Sequence, residues 1–318
     1  MNRANAPETD ESFLTIAGPT AVGKTELSLS LAEQWNAEII SADSRQIYEE
    51  LTTGTAKPPS EARQRVPHHF INERSIFDDP YSAGAFADDA NARIREIRSR
   101  GKVPIIVGGS TLYIHALQYG LADVPDVANE VRDRIEQRLD EEGAEALYRE
   151  LENVDPTQAA KMDPTKTQRL VRALEVYHGT GRPLTYYHEN QPEPPFDYYT
   201  VVLNRDRQKL YRRIEKRVDR MLEDGLLDEV RSLIEKGVDP TRQPLRTIGY
   251  REPIQYLQGD IEYDEMVRLV KRNSRRYAKR QLTWFRRYDE YDWIEIDELT
   301  VDQLVDQITE SAEISVKS

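Results

Sequence analysis

The 318-residue sequence predicts an α/β fold: a parallel sheet of the P-loop type, flanked by helices and carrying a mostly helical insertion domain. Three observations predict it. Short apolar strands alternate with helical stretches at both ends of the chain. The segment GPTAVGKT lies between one such strand and the next helix. Residues 123–195 contain no convincing strand. The catalytic core is therefore assigned to residues 1–122 and 196–318, and the insertion to residues 123–195.

Each element has its own warrant. SFLTIA (residues 12–17) reads as a short buried strand, followed by a glycine loop and a helix to about residue 35, with Leu27, Leu31 and Ala32 on one face. AEIISA (37–42) is a second strand. A helix over 82–100 leads to a third, VPIIV (103–107). The insertion holds helical runs such as VRDRIEQRLDEEGAEALYREL and closes on the Pro-rich QPEPPFD. YYTVVL (198–203) resumes the sheet. Helices are expected over 207–223, 226–235, 247–257 and 263–287, then a last strand over 292–296 and a helix running to 312.

Composition excludes several classes. No apolar run nears the roughly 18 residues of a membrane span. The start, MNRANAPETDESF, is polar and acidic, unlike a signal or transit sequence. There are no cysteines, so disulfides and thiolate metal sites are ruled out and a cytoplasmic setting is expected. The five histidines form no i, i+4 ligand pair. The net charge of −13 argues against broad nucleic-acid binding. Locally the balance reverses: residues 267–287 hold nine basic side chains and no acidic one, interleaved with Tyr277, Trp284 and Phe285. That stretch is either a solvated charged helix or a surface for RNA phosphates.

GPTAVGKT comprises Gly18, Pro19, Thr20, Ala21, Val22, Gly23, Lys24 and Thr25, and matches G-x-x-x-x-G-K-[ST] in the required strand–loop–helix context. Gly18 and Gly23 let backbone N–H groups fold around an anion. The helix N-terminus adds positive potential. Lys24 supplies a charge, and the Thr25 hydroxyl can hold Mg²⁺. The motif marks a diphosphate or nucleotide (ATP-binding) site without saying what leaves it. Triphosphatases usually hold Mg²⁺ with an acid after an apolar strand. Here VPIIVGGS places Gly108 and Gly109 there, which favours a diphosphate on some other donor.

ISADSRQIY sets Asp43 just past the second strand, where ligand crevices of parallel sheets open. Two readings stand: a cap on a turn, or a carboxylate that takes a proton or binds a metal. Ser44 and Gln46 add groups suited to a base edge.

These stretches, with GTAKPP (54–59), YSAGAF (81–86), IVGGSTLYIHAL (106–117), QRLVRALEVY (168–177), RIEKRVDRMLEDGLLDEV (213–230), RTIGYRE (246–252) and AKRQLTWFR (278–286), occur in one order along nearly the whole chain. The ordered set resembles the bacterial tRNA dimethylallyltransferase (tRNA isopentenyltransferase) family. The resemblance implies a cytoplasmic, monomeric prenyltransferase. It would move a dimethylallyl group from its diphosphate to the exocyclic amino nitrogen of the adenine immediately 3′ of a tRNA anticodon.

It further implies Asp43 as general base, and Thr25, Lys24, the loop amides and Arg217 as holders of the diphosphate with Mg²⁺. Ser110 stands where the family usually has threonine. The implied contacts to the tRNA anticodon stem-loop are Asp43, Ser44, Arg45, Gln46, Ser110, Arg132, Gln168, Arg169, Leu170, Val171, Arg172, Arg246, Thr247, Ile248, Gly249, Tyr250, Arg251, Lys279, Arg280, Gln281, Leu282, Thr283, Trp284, Phe285 and Arg286. Two alternatives share features with it. An ATP-dependent kinase would use the same loop and Asp43. A non-catalytic RNA-binding module would leave Asp43 without a role.

Overall fold

The structure, a computed structural model, describes residues 12–312. The polar, acidic beginning of the chain, up to residue 11, lies outside the described residues.

The described residues divide into two compact units, with breaks after Gln118 and before Pro194. The first unit begins with β1 (Ser12–Ala17), buried at all but its first position, then α1 (Lys24–Gln34) and β2 (Ala37–Ala42), buried throughout. A single 3₁₀ turn, Thr53–Thr55, precedes α2 (Ser60–Arg65) and a two-residue strand, β3 (His68–His69). Helix α3 (Ala83–Ser99) starts where the Ser82 hydroxyl accepts the Ala85 N–H at 3.0 Å. β4 (Val103–Gly108) and α4 (Thr111–Tyr119) follow.

The second unit, Tyr119–Glu193, holds α5 (Asn129–Glu142), α6 (Ala144–Val154), α7 (Pro156–Ala160), α8 (Thr167–Thr180) and α9 (Leu184–Glu189). Ile135, Leu147, Leu151, Leu170 and Leu174 form its core. The i, i+4 spacing of Leu147 with Leu151 and of Leu170 with Leu174 gives α6 and α8 an apolar stripe each. The Asp155 side chain closes a corner, accepting from Gln158 N–H, Thr185 N–H and the Thr185 hydroxyl.

The first unit resumes with β5 (Asp197–Asn204), α10 (Arg207–Glu223), α11 (Leu226–Glu235), α12 (Arg251–Leu257), α13 (Tyr263–Phe285), β6 (Asp292–Glu295) and α14 (Val301–Ser311). Helix α12 starts four residues later than the sequence pattern suggests. Gly249 takes a left-handed φ of 91°, which ends any helical run before Arg251. Strand β3 escapes sequence reading because two histidines carry no periodicity. It exists because Ile39 and Ile40 of β2 present a free edge to it.

The sheet runs β3-β2-β4-β1-β5-β6, with every pair parallel. Leu14, Ile16, Ile39, Ile105, Val201 and Leu203 from the sheet meet Leu27 and Leu31 of α1, Trp35 just after it, and Leu304, Val305 and Ile308 of α14 in one core. Gly108 stands in register with Ala17 on one side and Ala42 on the other. The loops after β1, β2 and β4 therefore leave the sheet at one level. The chain turns from β1 toward β2 on one side and reaches β5 on the other, so these three loops share a crevice.

Candidate active site

The first loop is GPTAVGKT, which wraps the N-terminus of α1. Its carbonyls and amides are tied from four directions. Lys24 Nζ donates to its own loop at Gly18 O (2.9 Å) and Pro19 O (3.0 Å). Arg213 of α10 donates to Ala21 O at 2.9 Å, and Arg205, just past β5, to Val22 O at 2.7 Å. The Gln281 side-chain oxygen accepts the Thr20 N–H. Arg205 and Arg213 were not singled out in the sequence. Their only early signal is position, one at the end of a strand and one on the helix after it.

The second loop carries Asp43. Its Oδ1 accepts from Arg45 N–H at 2.9 Å and Gln46 N–H at 3.4 Å. The turn-capping reading is met by Oδ1, and Oδ2 is left without a hydrogen-bond partner among the described residues. Ser110, after β4, accepts the Ser44 N–H on its hydroxyl at 2.9 Å and donates its own N–H to Ala42 O at 3.2 Å. It braces the Asp43 turn against the third loop. A Cβ at Gly108 would collide with the Ala42 carbonyl, so the closeness of β2 and β4 explains a glycine where a metal-binding acid was looked for.

Electrostatics converge on the same point. Burial pushes the Lys24 ammonium down to about 8; Asp43 opposes this and Arg217 adds to it. Burial likewise lowers the Arg217 pKa, against the pull of Asp43. Arg217 lies on α10 among the buried Ile214, Val218 and Met221, and its Nη2 donates to Thr55 O at 3.1 Å. Lys57, also pushed down to about 8 by burial, holds Tyr48 O and Asn72 Oδ1. These groups open onto a cavity of about 1080 Å³. Its walls mix Lys24, Thr25, Asp43, Gln46, Arg213 and Arg217 with apolar Ile71, Ile214, Val218, Met221 and Val270. The cavity thus offers cationic groups for an anion and apolar side chains for an apolar group.

Thr25 is exposed at the start of α1, and its hydroxyl makes no hydrogen bond to another described residue. Among the described residues no group of three or more His, Asp or Glu side chains could hold a metal ion unaided. The donors present, one hydroxyl beside a phosphate-type loop, fit Mg²⁺ bound mainly through phosphate oxygens and water.

The expected RNA-facing residues separate by exposure. Thr247, Ile248 and Gly249 line the cavity, as do Ser44, Arg45 and Gln46. Arg246, Arg251, Lys279, Arg280, Thr283 and Arg286 are exposed, and Leu282 and Trp284 are half-buried. In the second unit, Gln168, Arg169 and Arg172 are exposed; Arg172 pairs with Glu175 at 2.8 Å, and Arg132 with Glu136 at 2.8 Å. Leu170, Val171 and Phe285 have buried side chains, whereas Tyr250 and Gln281, although buried, line the cavity. A continuous run on a helix always contains inward positions, and Leu170, Val171 and Phe285 occupy them. The basic stripe is also thinner than its residue count. Lys271 pairs with Asp219 and Arg275 with Glu215, both on α10, while Arg276, Lys279 and Arg280 stay exposed without ion pairs among the described residues.

The fold is a parallel α/β sheet whose GPTAVGKT loop opens onto a cavity. The chain belongs to the IPP transferase family, whose model matches residues 46–288. It is 66% identical over 307 residues to a tRNA dimethylallyltransferase of Salinibacter ruber, covering 96% of this chain and 94% of that protein. It is 44% identical over 305 residues to one of Chlorobaculum parvum, covering 93% and 97%. Among solved structures, the tRNA isopentenylpyrophosphate transferase of Bacillus halodurans superposes with a TM-score of 0.70 at 37% identity, covering 95% of each chain. A eukaryotic dimethylallyltransferase acting on tRNA gives 0.75 at 30% identity, covering 87% of this chain and 70% of that one. No described helix is long and apolar enough to cross a membrane.

Proposed function

We propose that this protein transfers a dimethylallyl group from dimethylallyl diphosphate to the exocyclic amino nitrogen of the adenine immediately 3′ of a tRNA anticodon. The observation that carries it is the division of labour on Asp43. One oxygen fixes the turn, the other makes no hydrogen bond among the described residues, and the carboxylate interacts electrostatically with Lys24 and Arg217 in a cavity of mixed polar and apolar lining.

In this reading loop N–H groups other than those of Thr20 and Val22, with Lys24 and Arg217, hold the diphosphate, and the five-carbon tail lies against apolar side chains of the lining. The amine nitrogen attacks the terminal allylic carbon. The carbon–oxygen bond breaks, pyrophosphate leaves with the electron pair, and Asp43 takes the amine proton. Placing the nitrogen in line with that carbon removes much of the entropic barrier, and the cations neutralise charge growing on the leaving group. Mg²⁺ held at Thr25 and the diphosphate would add to that neutralisation when bound.

The acceptor must leave its stack to enter the cavity. In this reading Gln46 and Ser44 would contact its edge. Arg276, Lys279, Arg280 and Arg286 would hold backbone phosphates, with Arg132, Gln168, Arg169 and Arg172 as further contacts from the second unit. A cytoplasmic monomer is part of the proposal, and the lack of cysteine is consistent with a reducing compartment.

The test is incubation with Mg²⁺, unmodified tRNA and either labelled dimethylallyl diphosphate or labelled ATP. Prenyl label on tRNA supports the reading. Phosphoryl transfer from ATP, or tRNA binding with no label transferred, overturns it.

A further inference from the structure

Glu229 lies outside the groups assigned to chemistry, yet it accepts more hydrogen bonds than any of them. It sits in the first turn of α11. Its Oε2 accepts the N–H groups of Thr52 (3.1 Å) and Thr53 (2.6 Å). Its Oε1 accepts the Gly54 N–H at 3.3 Å and the Tyr250 hydroxyl at 2.6 Å. Three successive backbone N–H groups aimed at one anion form a nest. Here the anion is a side chain of the protein itself, which pins the Thr53–Thr55 turn.

Tyr250 makes the pin rigid. It is fully buried, and its ring lies so close to Gly54 that a Cβ there would sit 2.5 Å from it. The turn therefore cannot shift toward Tyr250, nor away from Glu229 without losing charge-assisted bonds.

The pinned turn ends at the Thr55 carbonyl. That oxygen accepts from Arg217 Nη2 at 3.1 Å and from Gln46 Nε2 at 3.4 Å. Both side chains line the cavity, and in the prenyl-transfer reading Arg217 would serve the diphosphate and Gln46 the nucleobase. One carbonyl thus orients both groups, and Glu229 decides where that carbonyl stands.

We infer that Glu229, locked by Tyr250, is a positioning residue that aligns donor and acceptor through the Thr55 carbonyl. The inference rests on the prenyl-transfer reading and deepens it. Glu229→Gln keeps the size of the side chain but puts an NH₂ donor where backbone donors converge, which loosens the turn without opening a cavity.

The experiment measures steady-state prenylation of tRNA by wild type, Glu229→Gln, Arg217→Gln and the double variant, with tRNA affinity and thermal unfolding measured alongside. Wild type must first transfer the prenyl group; if it does not, the prenyl-transfer reading fails and the positioning role, which depends on it, falls too. With wild type active, Glu229→Gln should lower kcat/KM by about 10²-fold, the scale of a roughly 1 Å misplacement. The donor KM should rise while tRNA affinity changes less than about twofold, because phosphate contacts dominate that affinity. In the Arg217→Gln background Glu229→Gln should raise the donor KM little further, since it acts through that arginine. Independent, multiplying effects on donor KM, or full activity in a folded Glu229→Gln protein, overturn the inference. If Glu229→Gln does not fold, Tyr250→Phe, which removes one donor and keeps the packing, replaces it with the same pattern at smaller amplitude. Wild-type kinetics in Tyr250→Phe then count against the inference.

Discussion

The side-chain oxygen of Gln281 accepts the backbone N–H of Thr20 at 3.0 Å, across 261 positions of sequence. Its amide nitrogen donates to Gly109 O at 2.7 Å. One buried side chain on α13 therefore ties the GPTAVGKT loop to the loop after β4. The outer face of the same helix exposes Arg276, Lys279 and Arg280. The tether of the GPTAVGKT loop and the basic face thus belong to one helix.

Gln281→Leu leaves the Thr20 N–H and the Gly109 carbonyl without partners. Unpaired buried groups cost about 1–3 kcal/mol, so urea unfolding should show a loss of that size. The donor KM should rise several-fold with tRNA affinity nearly unchanged. An unaltered donor KM would show that the tether does not shape the cradle.

Asp43→Asn separates the two duties of that residue. Asparagine keeps an acceptor for the Arg45 and Gln46 N–H groups and replaces the second oxygen with a donor. Turnover should fall by about 10²–10⁴-fold, the usual scale for a lost general base, with tRNA binding intact. Wild-type turnover would remove Asp43 from the proton-transfer step.

Donor affinity should depend on pH through Lys24. Burial holds its pKa at about 8 instead of 10.5. A bound diphosphate favours the charged ammonium and raises that pKa, so binding takes up a proton once the pH exceeds about 8. Affinity is then level below pH 8 and falls above it, by up to roughly tenfold per pH unit. Lys57, also near 8 and lining the same cavity, adds to the fall. Calorimetric titration with dimethylallyl diphosphate between pH 7.5 and 9.5 measures this, with Lys24→Arg as the control that stays charged. Parallel profiles for the two proteins would refute the assignment.

Replacing Arg276, Lys279 and Arg280 with glutamine should weaken tRNA binding. It should also reduce the slope of log affinity against log salt by about 2, at roughly 0.7–0.9 per lost phosphate contact. Lys271→Gln with Arg275→Gln should change the slope far less, because Asp219 and Glu215 already neutralise those charges. Equal slopes in filter-binding assays across the three proteins would show that this face does not meet RNA.

What the sequence determined by itself was local. A glycine loop between an apolar strand and a helix, and an aspartate just after a strand, follow from short-range pattern, so the GPTAVGKT loop and Asp43 were legible. The alternation of strands and helices was enough for every strand of the sheet but β3. What only the tertiary structure decided was pairing across long separations: Glu229 with the Thr53–Thr55 turn, Gln281 with Thr20, and Lys271 and Arg275 with acids on α10. Such partners are chosen by how helices dock on the sheet, and nothing in the residues flanking each position records it. The same docking decides which members of a helical run face inward, so Leu170, Val171 and Phe285 read as surface in a motif and prove to be core.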